Sequence, residues 1–161
     1  MNSRIFQIET NPIPKKDYIA ECNFDDHWFL DTIADYVADY NDRDQNIEWL
    51  RSFLEKKKAA AFDDSSNSFV ILPNGKQAYF LHAYEDFVQA RDKTQGMSIA
   101  EFSSEISKFS TLLWKMNDAY CTKYGLYVSS EEFALIPFDE FIRQAEIGTH
   151  YHIGGVLSYK F

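Results

Sequence analysis

The chain has 161 residues and a net charge of −9, from 16 Lys plus Arg against 25 Asp plus Glu. Apolar residues make up 45% and charged residues 25%, an ordinary globular balance that excludes a disordered chain or an acidic tail. Its 14 Phe, 10 Tyr and 3 Trp supply a core, and only 6 Gly and 4 Pro interrupt it, which favours long elements with short connections.

Residues 4–9 alternate apolar with polar side chains, which predicts a strand. The start has no apolar run followed by a small-residue cleavage site, so it does not read as a signal peptide. No run approaches the roughly 18 apolar residues of a membrane span. Cys22 and Cys121 lie far apart without a CxxC motif, and a reduced, cytoplasmic setting is expected. Nothing marks a boundary, so one domain over residues 1–161 is expected.

Asn11-Pro12-Ile13-Pro14 reads as an irregular connection, because each Pro holds the residue before it extended. Beyond it, Phe29, Leu30, Ile33, Tyr36, Val37 and Tyr40 follow helical spacing. They predict a helix capped by Asp25 or Asp26 and broken at Asn41 and Asp42. Asp42 and Gln45 form a capping-box pair ahead of a second helix through Ile47, Leu50 and Leu54. Lys56, Lys57 and Lys58 sit where its negative end favours cations.

Residues 63–68 read as a loop. Two apolar runs then flank Pro73-Asn74-Gly75, and Asn-Gly between such runs predicts a hairpin over residues 69–81 with a type I′ turn. A short helix from about residue 84 is expected to end near Gly96. Ser98 and Glu101 form a second capping box, and Ile99, Phe102, Ile106, Phe109, Leu113, Met116 and Tyr120 then recur at steps of three and four. They predict one long helix near residues 98–124, packed on the sheet by that stripe. Residues 126–128 read as a strand and Pro137 opens a helix through Phe138, Phe141 and Ile142. The last strand, from His150, carries Gly154-Gly155 as a turn or a bulge and is expected to pair with the first. Strands and helices do not alternate as βαβ units, so the fold class is α+β with a largely antiparallel sheet.

No catalytic constellation stands out. His150 and His152 would share one strand face and could grip a metal in a small metal-dependent enzyme, but no third ligand lies near in sequence. No cofactor and no metal is therefore expected. Acids around Cys22 and His27 would raise the thiol pKa, the wrong direction for a nucleophile. Pro73-Asn74-Gly75-Lys76 lacks the rest of a phosphate-binding loop. Direct nucleic-acid binding is disfavoured by an acidic chain without a basic stripe.

Charge placement is the distinctive feature. Residues 21–50 hold nine acids and one base, Arg43, and so account for −8 of the net −9. Asp31, Asp35 and Asp39 recur every four residues. On a helix they would form a ridge with a rise of about 6 Å per step, near the spacing of nucleic-acid phosphates. With Asp25, Asp26 and Asp42 they nominate a partner-binding surface. The reading is a non-enzymatic module that docks this ridge on a basic protein surface, as nucleic-acid-mimicking inhibitors of nucleic-acid-binding proteins do. Two alternatives stand beside it: the metal-dependent enzyme, and a homo-oligomer joined through the long-helix stripe. The chain is expected to act as a monomer or homodimer, without a membrane.

Overall fold

A computed structural model describes residues 2–39, 42–104, 106–132 and 134–161. Tyr40, Asn41 and the Ile106 side chain lie outside the described residues. In chain order the elements begin with β1 (Asn2–Glu9), single 3₁₀ turns at Lys15–Asp17 and Glu21–Phe24, α1 (Trp28–Thr32), β2 (Tyr36–Asp39) and α2 (Arg43–Lys56). They continue with β3 (Ala60–Asp63), β4 (Ser68–Ile71), α3 (Gly75–Gln95), α4 (Ile99–Ser104) and α5 (Ile106–Tyr120). The chain closes with β5 (Tyr127–Ser130), β6 (Ala134–Pro137), α6 (Phe138–Gln144) and β7 (His150–Lys160). It packs as two compact units, residues 1–79 with 124–161, and residues 80–123.

The first unit is built on β7. β1 runs antiparallel to it from Asn2 opposite Lys160 to Glu9 opposite His152, so the two terminal strands pair as expected. The strand order is β3-β4-β7-β1-β5-β6, and β2 pairs with β7 beyond the end of β4. Only β1 and β5 run parallel. The fold class is α+β with a largely antiparallel sheet.

Alternation on β1 sends Ile5 to one sheet face and Phe6 to the other. Ile5 joins Tyr127, Leu157 and Tyr159, and this layer is covered by Phe24 and Phe29 from the segment between β1 and β2. Phe29 meets Tyr127 and Tyr159 edge-on at 4.8 and 5.0 Å between centroids, a favoured aromatic geometry. Burial pushes the Tyr159 hydroxyl pKa up, and it stays a donor to the Gly125 carbonyl at 2.6 Å. On the other face, Arg4 donates to Asn46 of α2 and lies over Trp49. The expected α2 stripe, Ile47, Leu50 and Leu54, is buried, each side chain contributing about 1.5–3 kcal/mol. Asp42 caps this helix by accepting from Gln45 N–H at 3.0 Å. Pro137 precedes α6, which buries Phe138, Phe141 and Ile142 as expected.

Gly154-Gly155 is a bulge, not a turn. Between the pairs Phe6–Val156 and Ile8–Ile153, β1 advances two residues and β7 three. The freed backbone groups are taken up by two side chains. Gln7 Oε1 accepts from Gly155 N–H at 2.9 Å and from Ile19 N–H at 3.0 Å, while its Nε2 donates to the Asp17 carbonyl. Arg43 donates from Nη2 to the Ile153 carbonyl at 2.8 Å and from Nε to the Gly154 carbonyl at 2.6 Å. A Cβ on Gly155 would lie 2.8 Å from the Ile19 oxygen and 2.9 Å from its nitrogen.

Three expectations are corrected. The hairpin predicted over residues 69–81 lies one strand earlier, joining β3 to β4 with Asn67 at φ 47° in its turn. Ala60 and Ala61 belong to that hairpin. Residues 76–81 are helical, because Gly75 opens α3 against the Ala59 backbone: a Cβ there would overlap the Ala59 carbonyl oxygen. The glycine serves close approach and not the positive φ of a type I′ turn. The helix expected over residues 28–40 stops at Thr32, and residues 36–39 form β2. Tyr36 and Val37 are β-formers, and the exposed end of β7 offers them a ladder, so tertiary pairing overrides helical spacing.

In the second unit, the described helical residues of the stretch predicted near 98–124 are Ile99–Ser104 and Ile106–Tyr120; Glu105 lies outside the described residues. The Ser98 capping box forms: Ser98 N–H donates to Glu101 Oε2 at 2.9 Å and Glu101 N–H to Ser98 Oγ at 3.2 Å. Its stripe is not a core stripe. Ile99, Phe102, Leu113 and Tyr120 are exposed and Met116 half-buried, while Leu112 is the buried position.

Two outcomes test this account. Gly155→Ala should lose about 2–3 kcal/mol of unfolding free energy by overpacking against Ile19, and Arg43→Met about 2–4 kcal/mol by leaving two carbonyls unpaired. Denaturant unfolding at parental values for both would remove the bulge from the centre of the fold. The backbone N–H of Ser98, with Lys108, holds the Glu101 carboxyl down from 4.5 to about 2. Because the folded value is depressed, its stabilising contribution is present above the ordinary value and is lost as pH falls through about 2. NMR titration of Glu101 should show that low midpoint, and Ser98→Ala should raise it; an ordinary midpoint in the parent would refute the box.

Candidate partner-binding surface

The six aspartates sit on a segment whose backbone path is set by its aromatic residues. Phe24 and Phe29 are buried and meet edge-on at 6.1 Å, which anchors the chain on both sides of Asp25 and Asp26. These two acids occupy the intervening turn, with Asp26 at φ 59°, a conformation Asp and Asn tolerate better than other side chains. His27, and neither aspartate, caps α1: its Nδ1 accepts from Phe29 N–H at 3.2 Å. Ile33 and Ala34 both donate to the Phe29 carbonyl and close the helix after little more than one turn. Asp35 N–H then bonds the Lys160 carbonyl at 2.7 Å, where β2 joins β7.

Asp25, Asp26, Asp31, Asp35, Asp39 and Asp42 are all exposed. Two have local tasks. Asp39 accepts from Glu21 N–H at 3.0 Å, and Asp42 caps α2. The other four form no side-chain hydrogen bond or ion pair among the described residues. Asp31 and Asp35 line a shallow cavity of about 260 Å³ with Leu30, Ile33, Tyr124 and Phe161. The nearby cations do not neutralise them. Arg43 is turned to the Ile153 and Gly154 carbonyls and over Tyr18, and the Lys160 ammonium lies 5.9 Å from the centre of the Tyr36 ring.

One feature of the expected ridge is absent. Asp31 is on α1, Asp35 lies in the bend after it, and Asp39 is on β2. A helical repeat of about 6 Å therefore does not run through them, and a strand spreads positions 35 and 39 by about 13 Å. The acids make a local negative surface, without the regular spacing of a phosphate backbone.

The other candidates stand apart. His150 is exposed and His152 half-buried on β7, and no cluster of three metal-ligating side chains occurs among the described residues. Cys22 is exposed and Cys121 half-buried, and neither is in a disulfide. Asp63 is held below the ordinary carboxylate range by the Ser65 hydroxyl and backbone N–H, so it organises the β3–β4 turn. Lys76 donates to the Arg143 carbonyl at 2.7 Å at the end of α6. Asp139 accepts from the Tyr79 hydroxyl at 2.8 Å. Among the described residues, no helix is long and apolar enough to cross a membrane.

The role of Arg43 is what sequence reasoning missed. A lone base within nine acids reads as a surface counter-charge, whereas it is spent on the bulge. The signal for it was Gly154-Gly155, a bulge whose carbonyls need a donor. Comparisons with protein families, curated proteins and solved structures find no match to this chain.

Proposed function

We propose that the protein is a non-enzymatic binding module that docks the acidic surface of residues 25–42 on a basic surface of a partner protein. The observation that carries this reading is a set of exposed carboxylates, Asp25, Asp26, Asp31 and Asp35, that have no side-chain partner among the described residues, beside a base taken up by the bulge carbonyls and Asp44. Exposed like charges repel, and a folded chain relieves them with interspersed cations. Here that relief is withheld, which supports a cation supplied from outside. A groove built to hold nucleic acid has the matching sign. The irregular spacing of the acids favours local charge matching over imitation of a phosphate backbone.

Such docking speeds association and depends on salt, because exposed charges are screened beyond about 8 Å at physiological ionic strength. The informative variant is Asp25→Asn/Asp26→Asn/Asp31→Asn/Asp35→Asn, which spares the cap at Asp42 and the acceptor at Asp39. Asn also tolerates the left-handed backbone at position 26. Its thermal unfolding should match the parent within about 0.5 kcal/mol. Immobilised parent protein should retain basic proteins from a cell lysate at low salt and release them near 0.5 M salt, on the order of a threefold shorter screening length than in dilute buffer. The variant should retain fewer. Equal retention by both, or retention indifferent to salt, would refute the proposal.

A further inference from the structure

On α5 of the second unit the charged residues occupy one narrow arc, and most of the exposed apolar side chains lie outside it. At 100° per residue, Lys108, Lys115 and Asp118 of α5 fall within an arc of about 80°. That arc lines two grooves of the unit, one of about 480 Å³ with Lys93, Lys108 and Leu112, and one of about 360 Å³ with Asp86, Lys93, Lys115 and Asp118, whose rim Trp114 shares. The remaining arc of α5 has no charged residue; it holds Phe109, Ser110, Leu113, Trp114, Asn117 and Tyr120. Lys108 and Lys115 are exposed, and so is much of the uncharged arc, although a solvated helix normally turns its apolar side chains inward. Here Trp114 is 64% exposed, Tyr120 61% and Leu113 46%. On α4, Ile99 is 86% exposed, and Phe102 packs edge-on to Phe109 at 5.1 Å, which extends the same apolar surface.

We infer that two copies of this chain pair through the uncharged arc of α5, centred on Leu113, Trp114 and Tyr120. The argument is electrostatic. A two-fold interface is isologous, so a patch meets itself and any net charge on it meets its own sign. In a chain of net −9, residues 80–123 hold six acids and five bases, a net −1, while the other unit holds the remaining −8. The uncharged arc is where two such chains meet without like charges apposed. Ser110 and Asn117 beside it can both donate and accept, so they too are self-complementary. The five exposed apolar side chains offer roughly 100 Å² each, about 500 Å² per copy, and their polar rim adds to this. That falls below the roughly 800 Å² per partner of a standard interface, which fits a weak dimer that forms only as concentration rises. This inference does not rest on the acidic surface, which lies in the other unit.

Sedimentation of the full chain between about 1 and 200 µM tests it. The parent should move from 18.8 kDa toward twice that mass with rising concentration, and added salt should not reverse the shift. Leu113→Glu/Tyr120→Glu should stay at the single-chain mass with an unchanged far-ultraviolet circular dichroism spectrum. The milder Trp114→Ser should weaken the dimer by about tenfold, and it decides the question if the double variant fails to fold. A parent that remains at 18.8 kDa throughout would overturn the inference, and its uptake by phosphatidylcholine vesicles would give the arc to a lipid surface. A dimer that survives the substitutions, or dissolves in salt, would place the interface elsewhere.

Discussion

The extra residue in β7 is the constraint on which the sheet unit depends. A bulge leaves backbone groups outside the ladder, and buried groups without partners cost about 1–3 kcal/mol each. Gln7 and Arg43 meet that demand, and in doing so they fix everything nearby. One amide oxygen of Gln7 holds Gly155 of β7 and Ile19 of the connecting segment together. One guanidinium ties the first turn of α2 to the Ile153 and Gly154 carbonyls. The missing Cβ at Gly155 lets Ile19 approach. The path from β1 to α2, along which the aspartates lie, is thus pinned near both ends to one three-residue stretch of β7, Ile153 to Gly155.

That arrangement also explains the charge distribution. Arg43 is the sole base in residues 21–50, and its guanidinium serves the bulge carbonyls and Asp44, so it neutralises none of Asp25, Asp26, Asp31 and Asp35. Asp39 and Asp42 serve the backbone and could be served equally by Asn. Asp25, Asp26, Asp31 and Asp35 have no such task. The two units differ accordingly in surface chemistry: exposed carboxylates gather in one and exposed apolar side chains in the other.

Elements that rest on local chemistry were legible in the sequence. The Asp42 and Ser98 caps, the Ile47–Leu50–Leu54 stripe and the Pro137 start are each decided within one helical turn, and they formed where their residues indicated. The misread elements depend on partners distant in sequence. Tyr36 and Val37 fit a helix until the end of β7 is available to pair with them. Asn74-Gly75 fits a hairpin until Ala59 requires a residue without a Cβ. The α5 stripe has core spacing, and spacing alone cannot distinguish burial within one chain from burial between two. For the candidate surface, the composition of residues 21–50 was visible and the inward turn of Arg43 was not, because its acceptors lie 110 residues away.

The edge position of β2 adds a structural reason for some of the acids. Among the described strands β2 pairs with β7 alone, which makes it an edge strand, and the Glu21–Phe24 turn packs beside it with Glu21 N–H donating to Asp39. Asp35 before it and Asp39 at its end bracket that edge with negative charge, a common defence against edge-to-edge association. This role accounts for two aspartates placed beside a short strand. It does not account for Asp25, Asp26 and Asp31, which precede β2 in the turn and in α1 and flank no open edge. An edge guard needs charge only along its own strand, whereas the acidic surface begins a full helix earlier. The acids outside β2 are therefore the ones that a docking role explains and an edge role does not.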